Sequence, residues 1–127
     1  MNKRISLGLA ILLTTTISSC YEPERNCASF KDGKFSFTAS IDGEEHTTIF
    51  ERKGNIEIDH FEGKTDTSSV RWINPCEYVV KKLHPKNMAE EKSIHMKILS
   101  TTKDSYTFEY RLVGSANRSV GTAIRVE

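Results

Sequence analysis

An excess of charge is the first thing this sequence lacks, with 18 basic residues against 17 acidic ones. So even a balance gives no long-range field to draw nucleic acid or a strongly acidic partner. Histidines come singly. His46, His60, His84 and His95 lack the i, i+2 or i, i+4 spacing that aims two imidazoles at one metal. No G-x-S-x-G elbow, H-E-x-x-H helix or phosphate loop occurs. We therefore expect no catalytic residues, no metal and no cofactor. The chain has no internal repeat and no low-complexity tract, and its 127 residues allow one domain.

One long apolar run is present, at the start. Lys3-Arg4 forms a basic n-region, and Ile5 to Ile17 is an apolar stretch too short to span a bilayer. Ile17-Ser18-Ser19-Cys20 then resembles a bacterial lipobox. The expected organisation is a lipoprotein signal peptide over 1–19, a lipidated tether over 20–26 and a single β domain over 27–127. Cys20 would carry the acyl chains, each buried methylene of which contributes about 0.8 kcal/mol to anchoring. Loss of the leader removes Lys3 and Arg4, taking the basic count from 18 to 16 and the formal charge from +1 to −1. Tyr21 stands where an aspartate retention signal would, which favours the outer membrane over the inner. The membrane is thus one expected partner, reached through the N-terminal lipid.

Cysteine is the next scarcity, with three in all. Lipidation of Cys20 leaves Cys27 and Cys76, an even number in an oxidising compartment. No third cysteine remains for a zinc site or a C-x-x-C redox pair. A Cys27–Cys76 disulfide would close a loop of about 50 residues and stabilise the fold by roughly 4 kcal/mol on the chain-entropy model. The alternative is two buried free thiols.

From Gly33 onward the pattern has period two, the signature of strands. Phe35, Phe37, Ala39 and Ile41 share one face of a first strand; Asp42-Gly43 supplies the residues that a primed hairpin turn needs. A second strand runs from His46 to Arg52. After Lys53-Gly54-Asn55, Ile56 and Ile58 alternate with Glu57 and Asp59 as far as Phe61. Glu62-Gly63 turns the chain again, into a long threonine-rich strand over Lys64 to Ile73, an edge or strongly bent element by its polarity. Asn74-Pro75 reverses the direction, and Cys76, Tyr78 and Val80 share a face of the fifth strand. The segment His84 to Ser93 has Pro85 and enough helix formers for one turn. Ile94, Met96 and Ile98 mark a sixth strand, Tyr106, Phe108, Tyr110 and Leu112 a seventh, and Val120, Thr122, Ile124 and Val126 an eighth. The expected fold is all-β, an antiparallel meander of about eight strands. Closure into a small lipocalin-like up-and-down barrel removes the edges, and an open, strongly curved sheet is the rival.

The residues Cys27-Ala28-Ser29-Phe30-Lys31-Asp32-Gly33-Lys34-Phe35 read C-x-x-F-x-x-G-x-F, and Trp72 to Tyr78 reads W-x-x-x-C-x-Y. With these two motifs the chain resembles a group of small Bacteroidota lipoproteins, over roughly Cys27 to Tyr78, and Arg52 matches an arginine that lies between the motifs. Pro75 departs from the acidic residue expected there. Some members carry a topoisomerase-subunit label, which no nucleotide site or basic surface supports in this chain.

Two function classes follow. One is a non-catalytic envelope protein acting through its outer surface or its loop-bearing ends, by binding a protein partner or by supporting envelope structure. The other is a lipocalin-like carrier of a small apolar ligand, with Trp72 and Tyr78 as contacts if those rings stand at the rim. An eight-stranded barrel has room for its own side chains or one small ligand. Phe35, Phe37, Trp72, Tyr78, Tyr106, Phe108 and Tyr110 are expected to fill it, which favours the first class.

Overall fold

The structure is a computed structural model that describes residues 25–127; the leader, Cys20 and the first part of the tether lie outside the described residues. Eight strands follow a short 3-10 helix, Cys27–Phe30. They are β1 (Gly33–Ile41), β2 (Glu44–Lys53), β3 (Ile56–Phe61), β4 (Lys64–Asn74), β5 (Glu77–Lys82), β6 (Ile94–Thr101), β7 (Ser105–Leu112) and β8 (Ser119–Arg125). Each pairs antiparallel with the next, and β1 pairs with β8, so the meander closes into a barrel. The rival open sheet is thereby excluded. Every backbone ladder finds a partner, which leaves no edge to protect.

Turn chemistry fixes the register. Asp42 and Gly43 both have positive φ, 51° and 82°, and Glu62 and Gly63 repeat the arrangement at 48° and 75°. These are primed turns, whose twist matches that of the strands they join. At the other end Asn74 Oδ1 accepts from the Cys76 N–H at 2.9 Å, an Asx turn that lets Pro75 reverse the chain. Between Lys82 and Ile94 the chain forms turns and bends instead of a helical turn, with Asn87 Oδ1 accepting from the Glu90 N–H.

Three strands depart from the sequence pattern. The polar β4 is no edge, because it pairs with β3 and β5 along its length. Its polarity reflects Asp66 and Ser68 pointing inward, in step with buried Val70. In β3 the alternation is inverted: Glu57 is buried while Ile56 lies exposed. In β8 the apolar face also points out, with Val120 and Ile124 exposed and Ala123 fully buried. Space decides β8. A Cβ on Gly121 would lie 2.4 Å from Phe37 Cε2 and 3.0 Å from Phe108 Cζ, so the rings of β1 and β7 leave room only for small inward residues.

The two ends of the barrel differ. The 3-10 helix plugs the end where the described chain enters, and Arg25 and Asn26 tie it to β6 through Ile98 O and Thr101 Oγ1. Cys27 and Cys76 form a disulfide there, with Cα atoms 5.2 Å apart. Phe30 packs on Tyr106 (centroids 5.2 Å) and Phe35 on Phe50 (5.3 Å). Beneath the plug lies Arg52, 1% exposed. Its Nε donates to Lys31 O at 2.9 Å, Nη1 to Glu57 Oε2 and the Tyr78 hydroxyl (both 2.9 Å), and Nη2 to Phe30 O (2.8 Å) and the Tyr106 hydroxyl (3.2 Å). All five guanidinium donors are used. Burial acts to lower the Arg52 pKa, but the combined influence of Tyr78, Tyr106 and Glu57 more than reverses it, and the side chain stays charged. Arg125 covers the plug from its outer side, stacking on Phe30 and Phe35 and donating to Ser29 O and Asp32 O. Two arginines thus hold four successive carbonyls, Ser29 to Asp32.

Candidate functional site: the open mouth

Among the described residues, none plugs the opposite end. It is framed by the Asp42-Gly43 and Glu62-Gly63 turns and by the segments linking β5 to β6 and β7 to β8. Inside it is a cavity of about 240 Å³, bounded by Phe37, Thr48, Phe50, Glu57, Asp59, Tyr78, Val80, Ile94, Met96, Phe108 and Tyr110. Strand alternation puts all of these on the inner face, so the cavity is the unfilled half of the barrel core.

Its walls differ in chemistry. Phe37 meets Phe108 edge-on at 5.3 Å and Tyr110 edge-on at 6.2 Å, and Phe108 lies 5.6 Å from Tyr110. These rings stand on β1 and β7. Four strands round the ring from β7 lies β3, diametrically opposite, which contributes Glu57 and Asp59. Glu57 is held by Arg52. The cation acting on Asp59 is the Lys82 ammonium, whose Nζ donates to Glu90 Oε1 (2.7 Å) and Asp66 Oδ2 (3.4 Å). Burial first, and then the neighbouring Glu57 carboxylate with which it shares a hydrogen bond, push the Asp59 carboxyl up to about 7. The Lys82 ammonium is raised by its bond to Glu90, and the Glu90 carboxyl is lowered by the same bond. Burial also raises the Tyr78 and Tyr106 phenols, so both remain protonated donors and acceptors.

Of the two residues expected as ligand contacts, Tyr78 forms part of the cavity floor, 1% exposed, with its hydroxyl on Arg52. Trp72 is elsewhere. It lies at the closed end, stacked on Tyr78 at 4.5 Å beneath the Lys31 ammonium, and does not line the cavity. The bulge between Trp72 and Asn74 tightens the strand just there. A second recess, of about 670 Å³, is lined by Trp72 together with Arg71, Val79 and Lys81 of β4 and β5, with Asn55 and Ser93 from the neighbouring turns. His46 lies 2.7 Å from Glu62, His60 3.2 Å from Thr65 and His95 3.7 Å from Glu77, so these three imidazoles have separate partners. Among the described residues no group of three or more histidine, cysteine or carboxylate side chains is arranged to hold a metal ion.

Sequence reasoning missed Glu57 and Asp59 as site residues. The signal was present in β3, where two acidic residues occupy one face of a strand whose apolar residues occupy the other. Arg52 stands two positions after Phe50 on the same face, and the ambiguous facing of the Ile49-Phe50 step hid its burial. The motif residues Cys27, Phe30, Gly33, Phe35, Trp72, Cys76 and Tyr78 all gather at the closed end. There Gly33 has φ 142°, and a Cβ on it would come within 2.5 Å of Arg125 Nη1. No family model, curated protein or solved structure matches the chain.

Proposed function

We propose that this is a lipid-anchored protein of the cell envelope, at the outer membrane, that works by binding and not by catalysis. Its working surface is the open, loop-bearing mouth of the barrel. One observation carries the reading: the described chain enters at the plugged end, and the cavity opens at the other. An acyl chain on Cys20 would then hold the closed end toward the bilayer and present the mouth to whatever approaches. The rim suits contact, since Ile41, Leu83, Met88, Leu112 and Val113 are exposed apolar side chains on or beside the elements that frame it. The resemblance to small Bacteroidota lipoproteins agrees with this placement.

Carriage of an apolar ligand is the second reading, and the cavity argues against a large one. Its 240 Å³ falls below the roughly 300–1,000 Å³ of ordinary ligand sites, and one wall is acidic. Two experiments test the proposal. Cys20→Ala should move the protein from the membrane to the soluble fraction, and continued membrane association would refute the anchor. A photoreactive side chain at Met88, beside the mouth, should give partner adducts in intact cells. The same group at Lys103, at the closed end, should give none; the reverse pattern would refute the mouth as the working surface.

A further inference from the structure

We infer that the mouth cavity binds a small organic cation, an amine carried on an apolar body of about the size of a single ring. The inference rests on the proposed role of the mouth and names what the mouth takes. Three observations support it. The aromatic wall of Phe37, Phe108 and Tyr110 lines one side of the space, where the apolar body of a ligand would pack ring against ring. The acidic wall lies opposite on β3, so a molecule spanning the cavity meets rings at one end and a carboxyl at the other. Charge in and beside the cavity also leans negative: among the described residues Glu57, Asp66 and Glu90, joined by Asp59 once it loses its proton, stand against Arg52 and Lys82. An incoming anion would add to that excess, and an incoming ammonium would reduce it.

Size sets the class of ligand. A cavity of 240 Å³ packed as loosely as most ligand sites holds on the order of ten non-hydrogen atoms. Phenethylamine meets these requirements, and 2-phenylethanol and phenylacetate are its neutral and anionic counterparts of the same shape. The groups acting on Asp59 are Glu57 on its own strand, Asp66 on β4 and Lys82 on β5. Arg52 on β2 acts through Glu57, and β6 and β7 present only Ile94, Met96, Phe108 and the Tyr110 phenol to the cavity. Proton loss from Asp59 therefore completes the cation's partner, and binding should tighten with rising pH while the amine stays protonated.

The test is calorimetric titration of the folded protein with the three probes, at about pH 5.5 and pH 8, repeated on Asp59→Asn. We expect phenethylamine to bind best, to gain roughly tenfold across that pH range, and to lose roughly tenfold at pH 8 in Asp59→Asn. In the variant the alcohol should bind as it does to the parent protein, which separates loss of a charge from loss of the fold. Equal binding of amine and alcohol, or an amine affinity unmoved by Asp59→Asn, would overturn the cation while leaving a mouth that binds. Absence of binding by all three at millimolar concentration would also overturn it, and the cross-linking pattern at Met88 and Lys103 would still decide the mouth itself.

Discussion

The two ends of this barrel handle a buried charge in opposite ways. At the closed end the Arg52 guanidinium has a partner for every donor, and its counter-ion Glu57 is fixed between it and the cavity. At the mouth Asp59 is set beside that same Glu57, like against like, and its carboxyl is pushed up to about 7 by burial and by this neighbour. A satisfied network adds rigidity and specifies one arrangement of the core. A carboxyl that burial and a like charge hold above its ordinary range, beside an unfilled space, marks a candidate binding site. On the proposed reading, the plugged half supplies stability and the open half recognition.

Breaking the closed end should have the largest effect. Arg52→Met strands the Glu57 carboxylate, two phenols and two carbonyls in the interior, and should cost about 3–5 kcal/mol in urea denaturation. A loss under about 1 kcal/mol would mean that the network contributes little. Reducing the Cys27–Cys76 bond comes next. It should raise the intact mass by two hydrogens and lower the unfolding free energy by roughly 2–4 kcal/mol, the range for a loop of this length. An unchanged mass would show that the thiols are free. Gly121→Ala sharpens the boundary between the halves, because its methyl would press on Phe37 and Phe108. Overpacking of this kind costs about 1–3 kcal/mol, and a neutral result would show that the aromatic wall can move aside.

Much of this fold was legible because turns and aromatic alternation leave local marks. Asp42-Gly43, Glu62-Gly63 and Asn74-Pro75 each turn the chain where their residue types require, and Phe35 and Phe37 face inward as their spacing indicates. Cysteine parity gave the disulfide. The mouth was hidden for a physical reason: the facing of β3 and β8 is set by partners distant in sequence. Glu57 turns inward to meet Arg52, and Ala123 and Gly121 turn inward because rings from β1 and β7 occupy the space. Apolarity within β3 or β8 alone points the other way, toward Ile58 and Ile124. Trp72 was expected among the rings that fill the interior, with a rim position only as the condition of the ligand reading, and it lies at the plugged end, whose plug could not be read from the strand that it covers. The filled interior expected from ring count holds for the closed half alone.

Asp59 carries the smallest energetic effect and the most direct test. Its folded-state pKa is raised above that of the unfolded chain, so the native state holds the proton more tightly. Stability from this group is fully present below about pH 4 and is lost as pH rises toward 7, by on the order of 2 kcal/mol after allowance for partial exposure. Asp59→Asn should flatten that slope. The decisive measurement is a carboxyl-carbon NMR titration of the folded protein with Asp59 resolved. Its proton should be released near pH 7. Release near pH 4 would contradict this and remove the distinction between the two ends.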